Sequence, residues 1–239
     1  MNKTLEHCRI QNWYPRLSVY SLPTNFVFLM DIEIQALQNG DTESGIAKSV
    51  IARLESAMSK FPFTRFVGTD LVAPTDTVRF EEKPGAVRSA ESAWYFLTQS
   101  AKVRNAAMNG MVSALCVRPF RRMDSAREFR LFVKNGKLRA MSQYWMTRNY
   151  PRLEKSREKY WTLAVDFIDR NFWVLPEPDI VLDIYFTSKD EILVTDLNPF
   201  GPPTDPLMLN SWDQDWQNSI GLKLIPPPTA ISGDINVSF

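Results

Sequence analysis

The stretch Ile180–Asp205, IVLDIYFTSKDEILVTDLNPFGPPTD, leaves the chain little conformational choice. Two runs rich in β-branched and apolar residues, Ile180–Thr187 and Ile192–Asn198, flank the turn signal Ser188-Lys189-Asp190-Glu191 and predict a β-hairpin. A two-residue loop at Lys189-Asp190 sets Ser188 opposite Glu191, and the same register sets Asp183 opposite Asp196. Side chains alternate faces along a strand, so Asn198 falls on the face of Asp196. Opposed residues have Cβ atoms about 5 Å apart, where like charges repel. Two carboxylates and an amide in an otherwise apolar hairpin point to a divalent cation with hard oxygen ligands, with Asp183, Asp196 and Asn198 as candidates. Mg²⁺ suits the set better than Ca²⁺, because few protein ligands leave places for water and phosphate oxygens. A pair of exposed or capping carboxylates is the competing reading. The rigid Pro199-Phe200-Gly201-Pro202-Pro203 turn counts against it by fixing the strand end, and Thr204-Asp205 behind it is placed to add a contact to the metal ligands.

A second hairpin is predicted from Glu128–Val133 and Lys137–Ser142 around Asn135-Gly136, a strong type I′ turn signal. Glu128, Arg130 and Phe132 share one face, and Phe129, Leu131 and Val133 the other. The two-residue loop sets Ser142 on the face opposite Arg130. Arg130 could present its planar fork to a phosphate or form a cross-strand ion pair, and spacing leaves both open.

Helical periodicity covers Asp41–Lys60, with Ile46, Val50, Leu54 and Met58 as its stripe and Asp41 or Thr42 as cap. It also covers Ala90–Met108 and Leu153–Phe172, the latter turning Tyr160, Leu163, Ala164, Phe167 and Ile168 inward. Thr64–Thr77 reads as a strand and turn, and Met111–Phe120 as a strand. The region after Trp216, with Pro226-Pro227-Pro228, reads as an extended surface tail, and Trp212 and Trp216 as a packing pair. His7 and Cys8 are expected to point apart on an extended strand, which excludes a nucleophile–base pair. Trp13-Tyr14-Pro15 is expected to pack, and Arg118-Pro119-Phe120-Arg121-Arg122 is a basic cluster able to grip phosphate. A net charge of +1 among 239 residues argues against direct nucleic-acid binding, and no apolar run is long enough to span a membrane. Two cysteines and one histidine exclude a disulfide framework and histidine-rich metal clusters, and suggest a reducing compartment.

The chain resembles the cell division cycle protein 123 family (D123 family). The resemblance is carried by His7-Cys8, Trp13-Tyr14-Pro15, Ala73-Pro74-Thr75-Asp76, Val117-Arg118, EFRLFVKNGKLRAMSQ (Glu128–Gln143), Asp183-Ile184-Tyr185 and DLNPFGPPTD (Asp196–Asp205), in the family's order. It implies an α+β, ATP-grasp-like fold: two lobes with antiparallel sheets and an ATP site between them. The implied division of this single unit is a small lobe over about 61–119, a larger lobe of 1–60 plus 120–212, and a tail over 213–239. The resemblance implies ATP and Mg²⁺ as cofactors, with adenine against Leu115–Pro119. Arg65, Cys116, Val117, Arg118, Glu128, Arg130, Ser142, Asp183 and Asn198 would form the nucleotide site, and Asp183, Asp196 and Asn198 would hold the metal. The implied role is that of a monomeric cytoplasmic assembly chaperone for translation initiation factor two, binding its γ subunit.

The chain departs from the family pattern on its cationic side. Only Arg65 stands where a Lys usually precedes the APxD motif, Thr75 occupies a frequently basic position, and Pro119 replaces a common Lys. The acidic stretch of eukaryotic members is also missing. Binding is therefore expected ahead of catalysis. The rival readings are an ATP-grasp ligase or kinase acting on an unknown acceptor, and a nucleotide-independent protein-binding scaffold.

Overall fold

A computed structural model describes residues 3–82 and 85–228. The chain opens with helices α1 (Lys3–Cys8) and α2 (Ile10–Leu17), strand β1 (Asn25–Phe28), then α3 (Asp31–Gln38), α4 (Gly45–Met58) and β2 (Arg65–Thr69). It continues through α5 (Val78–Glu82), α6 (Ala90–Gln99), α7 (Ala101–Met108) and β3 (Ala114–Pro119). The hairpin β4 (Glu128–Lys134) and β5 (Lys137–Gln143) precedes α8 (Pro151–Lys155), α9 (Arg157–Asn171), the hairpin β6 (Ile180–Phe186) and β7 (Ile192–Pro199), and β8 (Gly221–Lys223).

The strands form two sheets. One has the order β1-β3-β2, all antiparallel. The other has the order β7-β6-β4-β5-β8, with only β8 parallel to its neighbour. Each sheet anchors its own core. The smaller buries Val67, Leu115 and Val117 with Leu37, Val50, Leu54, Trp94 and Leu97 from its helices. The larger buries Phe129, Leu131 and Leu182 with Trp13, Leu17, Phe167 and Ile168. Two α+β lobes are thus present as expected; the smaller sheet is antiparallel, and the larger is mixed because β8 joins β5 in parallel.

The lobe boundary falls elsewhere than expected. Residues 25–58 belong to the small lobe, not the large one, because β1 pairs with β3 along Asn25↔Val117 and α4 buries Val50, Leu54 and Met58 in that lobe's core. β3 is the central strand of this sheet, paired on both edges, and its positions from Ala114 to Arg118 are all buried. The expected tail also contains β8, whose Leu222 is buried, while Pro226-Pro227-Pro228 is exposed coil; its last part, 229–239, lies outside the described residues. His7 and Cys8 sit on α1 rather than on a strand, with His7 Nδ1 2.5 Å from Glu177 Oε1 and Cys8 buried.

Serine residues punctuate the predicted helices. Ser44 caps α4, while Asp41 accepts from the backbone N–H groups of Glu43 and Ser44 just before it. Ser100 ends α6 in an extended conformation and caps α7, dividing one predicted helix in two. Ser156 divides α8 from α9 in the same region of sequence where one helix was predicted.

Both hairpins carry a β-bulge. In β4/β5 the Asn135-Gly136 loop pairs Lys134 with Lys137, but beyond Val133 the register shifts around Arg139 and pairs Arg130 with Ser142. Ser142 therefore lies on the face of Arg130, against the sequence-based register. In β6/β7 the loop is one residue longer than predicted: Thr187 N–H donates to Glu191 O, with Asp190 left-handed at φ 63°. A bulge at Thr195 then absorbs the extra residue and restores Asp183↔Asp196.

The β4/β5 turn has Asn135 at φ 53° and Gly136 at φ 68°. Gly136→Ala places a Cβ in the left-handed region and is expected to cost about 1–2 kcal/mol, measured as the shift in urea unfolding.

Candidate functional site

A cleft of about 900 Å³ opens between the lobes. Its small-lobe wall comes from Phe66, Gly68 and Thr69 of β2, Cys116 and Arg118 of β3, and Val72, Ala73 and Thr75 beyond β2. Its floor comes from Glu128 of β4, Asp183 and Ile184 of β6, and Thr195 and Asp196 of β7. Tyr144, Trp145, Phe120, Arg121 and Arg122 also line it. The volume suits a nucleotide-sized ligand.

Alternation along β3 decides which of its side chains reach the cleft. Val117 turns into the small-lobe core and is fully buried there, so only its backbone is available to a ligand. Cys116 and Arg118 turn the other way. Burial raises the Cys116 thiol well above its ordinary range, which keeps it protonated and inert. Arg118 is 9% exposed; its Nε donates to Thr24 Oγ1 at 3.1 Å and Nη1 to Thr195 O at 2.9 Å. Its buried Nη2 has no hydrogen-bond partner. An orphaned charged donor on the wall of a cleft is costly unless a ligand satisfies it.

Arg65 does not take the place of the expected Lys. It pairs with Pro119 at the end of β2, and its guanidinium donates to the carbonyls of Met58, Phe63 and Arg88 rather than lining the cleft. A cation so engaged serves the backbone turn that precedes β2.

On the floor, Asp183 is 7% exposed and both its oxygens are taken. Oδ1 accepts from Arg130 Nε at 2.7 Å and Oδ2 from Arg130 Nη2 at 2.8 Å; Asn198 Nδ2 donates to Oδ2 at 3.0 Å. This bidentate pair resolves the open choice for Arg130: it is an ion pair, buried rather than solvated. Arg130 also lies 5.3 Å from the centre of the Tyr144 ring and does not line the cleft. Ser142 is fully buried; its hydroxyl donates to Gln143 O and accepts from Met208 N–H. Its role in the sheet is thereby structural, although the bulge brings it beside Arg130.

Asp196 has the opposite surroundings. Its hydrogen bond comes from the adjacent Leu197 N–H at 2.9 Å, and no cation lies within ion-pair distance of it among the described residues. Burial, and next the Asp183 carboxylate, push its pKa up to about 7, against the pull of Arg118. Burial likewise lifts Glu128 to about 7, with the Trp145 indole opposing the rise. The two metal candidates therefore differ: Asp183 carries an internal counter-ion, and Asp196 has none. No group of three or more His, Cys, Asp or Glu side chains converges among the described residues, so a cation here would need the Asn198 amide and a ligand's own oxygens.

Sequence reasoning missed Thr195, Tyr144 and Trp145. Thr195 is the bulged residue, and it donates from Oγ1 to Asp183 O at 3.0 Å while its carbonyl holds Arg118. Nothing in a single sequence marks a bulge. Tyr144 and Trp145 directly follow β5, and two aromatics at the mouth of a strand were a signal available to composition alone.

Removing either partner of the Arg130–Asp183 pair strands a buried charge. Arg130→Met or Asp183→Leu alone is expected to cost about 3–5 kcal/mol, and the double variant Arg130→Met/Asp183→Leu markedly less than the sum; urea denaturation of the four proteins reads the coupling. For Asp196 the folded state binds its proton more tightly than the unfolded chain, so its contribution weakens stability as pH rises from about 4 to about 7. Without metal, Asp196→Asn is expected to match wild type near pH 4 and exceed it at pH 8, checked by unfolding midpoints at both values.

The D123 family model matches residues 66–220, well over half of the chain. The zebrafish (Danio rerio) translation initiation factor eIF2 assembly protein is 34% identical over 101 residues, covering 42% of this chain and 29% of that protein's length. A putative CDC123-like protein of Acanthamoeba polyphaga mimivirus is 26% identical over 226 residues, 87% of this chain and 69% of its own. Among solved structures, C-terminally truncated Cdc123 from Schizosaccharomyces pombe superposes with a TM-score of 0.79 over 93% of this chain and 97% of that one, at 23% identity, which establishes the shared fold. The two lobes, the motif-bearing hairpins and the family match agree that the chain belongs to the D123 family.

Proposed function

We propose that this protein binds ATP with Mg²⁺ in the interlobe cleft and acts as a cytoplasmic, monomeric assembly chaperone for a translation initiation factor, engaging a γ subunit of the factor-two type. One observation carries the nucleotide part. The same cleft holds a buried cationic donor without a partner, Arg118 Nη2, and a carboxylate without a counter-ion, Asp196. A single anion satisfies Arg118 and worsens Asp196; a lone cation does the reverse. A phosphate group chelating a divalent cation satisfies both at once.

The residues fit such a pair. Asp196, Asp183 and Asn198 would hold the cation, Arg118 would take a phosphate oxygen, and Trp145, Phe120 and the β3 backbone offer apolar and hydrogen-bonding surface to a base. The cation would neutralise phosphate charge and lock the ligand's orientation. The exposed Arg121 and Arg122 at the cleft rim add positive potential. Arg65, engaged by three carbonyls, leaves the phosphate end with fewer cations than a phosphoryl-transfer site uses, which favours binding over chemistry. The assembly role is supported by the names of the relatives, of which the eukaryotic ones align over about two-fifths of this chain. No described helix is long and apolar enough to cross a membrane.

Titration calorimetry tests the cofactor part. ATP is expected to bind with Mg²⁺ present, and Asp196→Ala or Arg118→Ala to weaken it at least tenfold. Binding by both variants equal to wild type refutes the reading. Co-purification with a factor-two γ subunit, weakened by Asp196→Ala, tests the partner.

A further inference from the structure

Arg130 links the floor of the cleft to a distant aromatic cluster. Two of its nitrogens hold Asp183, and the third, Nη1, donates to Asp205 O at 2.8 Å. Asp205 follows Thr204, whose carbonyl accepts the Trp212 indole N–H at 2.8 Å. Trp212 lies against Trp216, Phe132 and Phe200, with ring centres 5.8, 5.6 and 4.9 Å away. These rings, with Leu209 and Val181, cover the sheet face that also carries Arg130.

A guanidinium is planar and rigid, so its three nitrogens cannot move independently. Both Asp183 oxygens are occupied, one of them twice. A cation arriving at Asp183 takes the one Oδ1 lone pair left free, draws carboxylate charge away from the fork's hydrogen bonds, and repels the like charge of the guanidinium. Tilting the fork displaces the Asp205 carbonyl, and with it the turn that holds Trp212. We propose that Arg130 is a positioning residue that couples occupancy of the cation site to the packing of the Trp212–Trp216 cluster. It acts through Asp183 and touches no ligand itself. The inference rests on the cation reading above and deepens it: the chain carries its cation state to the half-buried rings on the outer sheet face.

Fluorine NMR of the full chain labelled with 5-fluorotryptophan separates the two claims. Trp145 lines the cleft and reports occupancy; Trp212 and Trp216, assigned through Trp212→Phe and Trp216→Phe, report the coupling. On adding ATP with MgCl₂, the Trp145, Trp212 and Trp216 lines of the wild type are expected to move by more than their widths, and that of Trp94, buried in the small-lobe core, to stay. ATP with EDTA moves Trp145 at most. Arg130→Lys keeps a cation beside Asp183 but lacks the fork; its Trp145 line still moves, and its Trp212 line does not. A wild type in which Mg-ATP moves Trp145 alone overturns the coupling and leaves the cofactor reading standing, as does an Arg130→Lys protein with the full Trp212 response. If no line moves at millimolar Mg-ATP, the cofactor reading fails and the coupling falls with it. The wild-type comparison decides even if Arg130→Lys does not fold.

Discussion

The ion pair between Arg130 and Asp183 stands where the pieces of the large lobe meet. It bridges β4 to β6, faces the cleft from behind, and reaches the segment after β7 through a carbonyl. Burying two charges is unfavourable unless every donor and lone pair is used, and here they nearly are: Asn198 and Tyr144 complete the shell around the fork. Burial alone would make the Arg130 proton easier to lose, yet the hydrogen bonds and charge of Asp183 hold its pKa above the ordinary arginine value. The pair thus ties β4 to β6 and gives Asp183 a counter-ion, while Asp196 is left without one.

That asymmetry explains why the site was half legible in sequence. Two acidic residues in apolar strands announce a polar site whatever their exact pairing, and the predicted opposition of Asp183 and Asp196 is what the structure shows. The prediction reached it through two offsetting departures, a loop longer by one residue and a bulge at Thr195. No such offset rescued Ser142. The bulge at Arg139 reversed its face and brought it beside Arg130. Strand register is read from turns, and a bulge is invisible to a turn.

The lobes were harder to divide. Helical stripes such as Val50, Leu54 and Met58 reveal that a helix has a buried side but not which sheet it covers. Pairing of β1 with β3 joins residues about ninety positions apart, beyond the reach of local pattern. Arg65 illustrates a related limit: a cation at a plausible position was consumed by three backbone carbonyls that sequence does not display.

The path of the chain through the two cores has a consequence for its synthesis. Trp13 and Leu17 belong to the large-lobe core, but the chain then builds the whole small lobe before it returns at β4 with the strands those residues pack against. The first two helices must wait for more than a hundred further residues before their apolar side chains are covered. The small lobe, whose elements run as one stretch from β1 to β3, is complete first. A nascent chain of this topology therefore emerges with a folded insert and an unsatisfied amino-terminal segment, the kind of exposed intermediate that draws holdase binding or misassembly.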